Sequence, residues 1–148
     1  MSMHRRWVVL IALTLARTTM GLQFQSVAAV GPILVETLDL SYAALGTLIG
    51  FYLLPGMAVA LPGGWLGQRF GDKRIVLLGL ALMTAGGALL AASESYAPMI
   101  AGRIVSGAGA VLLNVLVTKM VTDWFAGREI VSAMGVLLSS WPLGIALA

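Results

Sequence analysis

The sequence has few charged residues and no cysteine. Asp, Glu, Lys and Arg make up 10% of the 148 residues, and hydrophobic residues make up 59%, whereas soluble domains carry about 25% charged residues. Because this small number of polar side chains could not cover the apolar ones in water, the sequence predicts that the chain is surrounded mostly by lipid. The absence of cysteine excludes a disulfide framework and a thiolate metal site, and it indicates no particular compartment.

The charges that are present are mostly positive, with a formal net charge of +3 and a pI of about 9.8. The basic residues stand singly between apolar runs and do not form a patch. This distribution argues against a nucleic-acid partner and favours an interpretation in terms of membrane topology.

Apolar runs long enough to cross a bilayer follow one another along the whole chain. A spanning helix needs roughly 20 apolar residues, because lipid forces each segment to satisfy its own backbone hydrogen bonds. The sequence therefore predicts an all-α integral membrane protein with one membrane domain over residues 1–148. It contains four spans and an incomplete fifth, approximately 7–35, 42–66, 75–92, 97–121 and 130–148.

Basic residues alternate between the predicted connectors. Arg5 and Arg6 precede the first span, and further Lys and Arg lie in or beside 67–74 and 122–129, whereas 36–41 and 93–96 carry none. The positive-inside rule then predicts a multi-pass protein of the inner membrane with a cytoplasmic N-terminus. A cleaved signal peptide is the competing interpretation of the start, but Arg17 interrupts its apolar region.

Residues 63–74, GGWLGQRFGDKR, interrupt the apolar pattern with glycines and four charges. The segment resembles the signature loop between the second and third spans of the major facilitator superfamily, roughly G-x-L-x-D-R-x-G-R-K. The matching positions are Gly64, Leu66, Arg69, Gly71 and Lys73. The sequence departs from the pattern at Gln68, where aspartate is usual, and at Asp72, where arginine is usual.

Three further segments resemble the same superfamily in the right order: RIVSGAG (103–109), DWFAGRE (123–129) and SSWPLGIA (139–146). The resemblance implies a secondary transporter of twelve spans in two six-helix halves, each built from inverted repeats. The chain would then hold the first four to five spans of the N-terminal half and lack its partner, the C-terminal half. The alternative is a non-transporting fragment that acts only as a structural or assembly module in the membrane.

The resemblance also implies a conformational latch on the cytoplasmic side. In the superfamily, charges of the signature loop pair with an acid at the end of the fourth span, and the matching acid is Asp123. Because Asp72 replaces the usual arginine, we expect Arg69 or Lys73 to pair with Asp123. The predicted latch residues are Gly64, Gln68, Arg69, Gly71, Asp72, Lys73 and Asp123.

Arg17 is the leading candidate for substrate binding. It lies roughly 15 Å along a helix from Trp7, near the middle of a hydrocarbon core about 30 Å thick, and a charge there is a functional candidate by default. Helical spacing places Thr14, Thr18 and Gln25 on the same stripe, and it gives the fourth span a comparable face with Arg103 and Asn114.

These residues have alternative roles, which the sequence leaves open. Arg17 could extend towards the cytoplasm, Arg103 could bind backbone carbonyls, and Asn114 could form an interhelical hydrogen bond. No Asp or Glu falls inside a span. Two cavity-facing arginines without a countercharge favour a small anionic substrate, and the nitrate, cyanate and organic-anion branches of the superfamily fit that preference.

The sequence argues against an enzyme. The only histidine, His4, lies outside the spans, and the spans contain no carboxylate pair and no nucleophile with a base. No cofactor or metal is predicted.

The predicted topology can be tested by cysteine labelling, because the chain has no native thiol. An impermeant maleimide applied to intact cells should modify Asp39→Cys and should not modify Lys73→Cys until the membrane is permeabilised. The opposite labelling pattern would show that the N-terminus lies outside.

Overall fold

The computed structural model describes residues 3–127 and 129–148, and in these ranges all regular structure is α-helical. Three helical segments are long and apolar enough to cross a bilayer, namely Arg5–Ala29, Asp72–Ala91 and Tyr96–Trp124. The predicted all-α membrane fold is confirmed. The helices are α1 (Met3–Ala29), α2 (Gly31–Leu38), α3 (Tyr42–Gly50), α4 (Gly56–Phe70), α5 (Asp72–Ala91), α6 (Tyr96–Trp124) and α7 (Ile130–Ala146).

The structure divides each of the first two predicted spans into two helices. In the first, the break comes at Val30, just before Pro32, which has no N–H to donate to the preceding turn. In the second, residues 51–55 form tight turns in which the N–H of Tyr52 binds the Ile49 carbonyl. Pro55 then begins α4 as its N-cap. Prolines are visible in both predicted spans of the sequence, but the sequence pattern did not predict that the helices end there.

The turn between α4 and α5 depends on one glycine. Gly71 has φ +91° and donates its N–H to the Gly67 carbonyl, which ends α4. Side chains other than glycine are strained at such a φ. The next residue, Asp72, begins α5. The chain therefore reverses within one residue, and the start of α5 lies against the last turns of α6, where Asp72 contacts Lys119.

Close backbone contacts between glycines pack α5 against α6. A Cβ added at Gly86 would lie 2.5 Å from the Gly102 carbonyl oxygen, and one added at Gly79 would lie 2.8 Å from that of Gly109. Helices in lipid gain little from apolar contact, so small residues that let backbones approach are the main source of packing. The α5–α6 pair is the most extensive helix contact in the described bundle.

A second close crossing joins α1 to α7. A Cβ at Gly21 would lie 2.5 Å from the Trp141 carbonyl oxygen, and Gly144 packs directly on the backbone of Thr18. This crossing places the middle of α7 beside the middle of α1. It therefore sets the position of Arg17, which lies one turn before Gly21.

Helix α6 lies at the centre of the bundle, with α1, α3, α4, α5 and α7 packed around it. Its inner face contributes Leu113, Leu116 and Val117 to the main core, all with no exposed surface. Arg103 and Tyr52 are the two largest fully buried side chains. A charged and a polar residue thus occupy the centre of an apolar bundle, and each needs hydrogen-bond partners.

Candidate functional site

Arg17 is held between three helices by its hydrogen bonds. Its Nε donates to Asn114 Oδ1 on α6 at 2.9 Å, and its Nη1 donates to the Leu137 carbonyl at 2.9 Å and to Ser140 Oγ at 3.1 Å on α7. The side chain is 8% exposed. These contacts fix the guanidinium in the interior, so Arg17 does not extend towards either end of α1.

Two donors at this position remain free. The hydrogen bonds of the Arg17 side chain use Nε and Nη1, and its Nη2 has no acceptor among the described residues. Asn114 accepts through Oδ1, which leaves its Nδ2 amide as a donor. Nε and Nη1 of Arg17 are therefore used within the protein, and the donors left at this position are Arg17 Nη2 and Asn114 Nδ2.

Both side chains line a cavity of about 410 Å³ between α1, the 51–55 turn, α6 and α7. Among its described lining residues Arg17 is the only charged one, and Asn114 and Tyr52 add polar atoms. The remainder of the wall is apolar or aromatic. The lining residues are Arg17, Met20, Tyr52, Leu53, Gly56, Ala110, Val111, Asn114 and Trp141.

The other predicted residues of the α1 stripe do not reach this cavity. Thr18 donates its hydroxyl to the Thr14 carbonyl of its own helix at 2.9 Å. The Thr14 hydroxyl is buried and has no hydrogen-bond partner among the described residues, and Gln25 is half-buried away from the cavity lining. The structure thus brings together Arg17 and Asn114, and it separates Thr14, Thr18 and Gln25 from them.

Arg103 supports the backbone of two other helices. Its Nη1 and Nη2 donate to the carbonyls of Gln23 (2.9 Å) and Phe24 (3.0 Å) on α1, and its Nε donates to the Leu48 carbonyl (3.2 Å) on α3. The Leu48 carbonyl is available because the N–H of Tyr52 turns to Ile49. The guanidinium also lies 4.8 Å from the centre of the Tyr52 ring. All three kinds of nitrogen are therefore engaged.

Arg103 borders a different cavity of about 440 Å³, which lies between α1, α5 and α6. The polar groups there are committed to the protein itself. Gln23 Nε2 donates to the Met83 carbonyl at 2.8 Å, and the hydroxyls of its lining Ser and Thr residues donate to carbonyls of their own helices: Thr19, Ser26, Thr84 and Ser106. Of the two cavities, the one at Arg17 is lined by side chains whose nitrogens Nη2 (Arg17) and Nδ2 (Asn114) have no acceptor among the described residues.

The sequence pattern had not assigned Tyr52, Ser140 or Trp141 to the site. Ser140 is fully buried and accepts from Arg17, and Tyr52 and Trp141 form part of the cavity wall. A weak signal existed, since Pro55 and Pro142 lie close to these residues in the sequence and mark irregular or distorted helix. The register of α7 against α1, which decides these contacts, comes from the Gly21–Gly144 crossing and has no counterpart in a linear pattern.

The sequence profile of the Major Facilitator Superfamily matches residues 9–148. The chain belongs to this superfamily. It is 30% identical over 135 residues to the uncharacterised transporter Rv1250 of Mycobacterium tuberculosis, a match that covers 91% of the chain and 23% of the relative. It is 33% identical over 105 residues to the methylenomycin A resistance protein of Bacillus subtilis, which covers 71% of the chain and 22% of the relative.

A third relative is the inner membrane transport protein YajR of Escherichia coli, 32% identical over 108 residues, or 73% of the chain and 23% of that protein. The chain thus spans about a quarter of the length of these relatives. Together with the apolar helices, the superfamily membership makes this a multi-pass membrane protein of a transporter family.

In the superfamily's signature loop the charges pair differently from the prediction. Lys119 Nζ lies 2.6 Å from Asp72 Oδ2 and 3.2 Å from Asp123 Oδ2. The cation beside Asp123 is therefore Lys119 of α6, and neither Arg69 nor Lys73 takes that place. The cause is the turn at Gly71, which directs Asp72 at α6.

The remaining loop residues lie outside this charge cluster. The Arg69 guanidinium lies 5.2 Å from the centre of the Trp65 ring on its own helix. Lys73 and Gln68 are exposed, and a Cβ added at Gly64 would meet no neighbour within 4 Å. Among the described residues, the ion pair that joins α5 to α6 is Asp72–Lys119, and Asp123 of α6 shares the same lysine.

Arg103→Met is expected to destabilise the fold. The substitution keeps an apolar stem but leaves the Leu48 carbonyl without its donor, and an unpaired buried acceptor costs about 1–3 kcal/mol. The melting temperature in detergent micelles should fall clearly below that of the parent chain, whereas Arg74→Met, which removes an exposed charge at the start of α5, should leave it nearly unchanged. Equal melting temperatures for the two variants would contradict a supporting role for Arg103.

A double-mutant cycle tests the charge cluster. Asp72→Asn and Lys119→Gln should show a coupling of about 0.2–1 kcal/mol in unfolding free energy, the range for partly exposed pairs. The matched cycle of Arg69→Gln with Asp123→Asn should be additive. Coupling in the second cycle and none in the first would support the predicted pairing of Arg69 with Asp123.

Proposed function

We propose that this chain forms part of a pathway for a small anion through the inner membrane, with its N-terminus in the cytoplasm, and that the anion binds in the cavity at Arg17. The observation that carries the proposal is a buried arginine that faces a cavity whose described lining residues include no carboxylate. The coarser statement, a membrane protein of a transporter family, rests on the superfamily membership.

The charge of Arg17 is only partly compensated by the protein. Asn114, Ser140 and the Leu137 carbonyl supply dipoles, and none of them is negatively charged. A charge in the middle of a bilayer costs about 2.5 to more than 10 kcal/mol, so an uncompensated cation in this position attracts a negative partner. In the described bundle Asp72 and Asp123 share Lys119 at the end of α6, and neither lines the Arg17 cavity.

The cavity also supplies the geometry that an anion needs. Arg17 Nη2 and Asn114 Nδ2 are both donors, and the contact of Asn114 Oδ1 with Arg17 turns the acceptor of that amide away from a ligand. A charged guanidinium and an amide donor at one site favour an anionic or strongly accepting group over a cation.

Transport by alternating access requires that the helices move relative to one another. We propose that the Asp72–Lys119–Asp123 cluster acts as the latch of this motion, because it joins the start of α5 to the end of α6. Exposed ion pairs contribute only about 0–1 kcal/mol, and a bias of that size can still shift a two-state equilibrium. The partial exposure of Lys119 and Asp123 fits a contact that forms and breaks.

The anion site is tested by substituting Arg17. Purified chain in lipid nanodiscs would be melted with sodium nitrate, acetate or benzoate at constant ionic strength, since a bound ligand raises the melting temperature. At least one of these anions should stabilise the parent chain and the control Arg74→Gln but not Arg17→Gln. Arg17→Lys should retain part of the effect, because it keeps the charge but not the planar fork.

Two results would contradict the proposal. One is equal stabilisation of Arg17→Gln and the parent chain by the same anion. The other is the absence of any stabilisation of the folded parent chain by all three anions across the concentration series.

A further inference from the structure

An aromatic cluster forms the wall of the Arg17 cavity. Tyr52 and Trp141 line the cavity, and Phe24 packs on both of them, with ring centres 5.9 Å from Tyr52 and 5.5 Å from Trp141. The three rings come from α1, the 51–55 turn and α7. Nothing in the proposed anion binding requires them, since the donors belong to Arg17 and Asn114.

Tyr52 contributes its ring to the cavity more than its hydroxyl. The hydroxyl donates to the Met20 carbonyl at 3.3 Å and lies 3.4 Å from Gln23 Oε1, so α1 already occupies it. The side chain is 2% exposed, and Arg103 lies over its ring. Its position is therefore fixed. Trp141 is only half-buried, which leaves part of its ring surface accessible.

The size of the cavity argues against a bare inorganic oxyanion. A volume of about 410 Å³ lies in the range of pockets that enclose organic ligands, roughly 300–1,000 Å³. Nitrate or cyanate would occupy the donor end alone. The apolar remainder of the wall, with Met20, Leu53 and Val111, would then stay in contact with water, and no apolar surface would be buried.

The charge and the donors limit the ligand to one carboxylate. Arg17 is the only charged residue among the described lining residues, and the two free donors, Arg17 Nη2 and Asn114 Nδ2, match the two oxygens of a single carboxylate. A second negative group would face apolar side chains and would lose its hydration without compensation.

We infer that the cavity binds an aromatic monocarboxylate, with its carboxylate on Arg17 and Asn114 and its ring against Trp141. This inference rests on the proposed anion site and specifies its substrate class. Aromatic rings stack favourably beyond the simple burial of area, so the ring and the charge each contribute to recognition.

The test is a set of calorimetric titrations on the purified chain in lipid nanodiscs, with benzoate, acetate, nitrate, benzamide and terephthalate as probes. Benzoate should bind roughly tenfold or more tightly than each of the other four. Acetate and nitrate lack the ring, benzamide lacks the charge, and terephthalate adds a second carboxylate. Arg17→Gln should abolish the preference of the protein for benzoate over benzamide.

Trp141→Leu tests the contribution of the ring, since it removes the ring and keeps an apolar side chain at the α1–α7 crossing. It should weaken benzoate binding several-fold and leave acetate binding unchanged, whereas the control Trp65→Leu, at an exposed tryptophan of α4, should change neither. A Trp141→Phe variant, which keeps a ring, should recover most of the benzoate affinity. The melting temperatures of all variants would be measured to confirm that they are folded.

The outcomes separate this inference from the proposed function. If nitrate or acetate binds as tightly as benzoate and Arg17→Gln abolishes that binding, the anion site stands and the aromatic specificity is overturned. If benzoate binds equally well to the parent chain and Arg17→Gln, or if none of the anions binds, both are overturned.

Discussion

The Leu48 carbonyl, left open by the break between α3 and α4, requires a donor in the apolar interior of the bundle, and Arg103 supplies it. Lipid offers no hydrogen bonds, so a helix that stops in mid-membrane is tolerated only where protein groups satisfy its backbone. Arg103 binds the Leu48 carbonyl at the end of α3 and two carbonyls of α1. The 51–55 turn, with Tyr52 in it, then packs on Gly107 of α6. This arrangement places Tyr52 and Leu53 of the turn in the wall of the cavity.

Arg17 and Arg103 are both buried, but their hydrogen bonds differ. Every kind of nitrogen of Arg103 contacts a carbonyl, and its charge also lies over the Tyr52 ring, so the side chain acts as a support. Arg17 uses Nε and Nη1 to join α1 to α6 and α7, and it keeps Nη2 at the cavity. Both side chains make three hydrogen bonds, but only Arg17 keeps a whole nitrogen, Nη2, without an acceptor among the described residues, and this makes it the candidate for ligand binding.

The glycine contacts hold pairs of helices in fixed positions within the bundle. Helices α5 and α6 touch at their backbones through pairs of glycines, as do α1 and α7 at Gly21 and Gly144. Such contacts leave little room for a side chain to change, so they act as fixed joints within the bundle. The charge cluster of Lys119 lies at the end of the α5–α6 joint and is partly exposed. The parts of the fold that can respond to a ligand are therefore the surroundings of the cavity and the ion pair at the end of α6, while the glycine contacts of α5 and α6 stay fixed.

The sequence by itself determined the membrane class, the all-helical fold and the superfamily, because composition, hydrophobic length and local motifs are properties of consecutive residues. It also placed Asn114 on a face with Arg103, although the structure joins Asn114 to Arg17. The tertiary structure alone decided which helix supplies each partner: Ser140 for Arg17, the α1 and α3 carbonyls for Arg103, and Lys119 for Asp72. Those pairings depend on the rotation and axial shift of one helix against another. The close glycine crossings and the helix breaks set both, and a periodic pattern along one helix carries no information about the register of its neighbours.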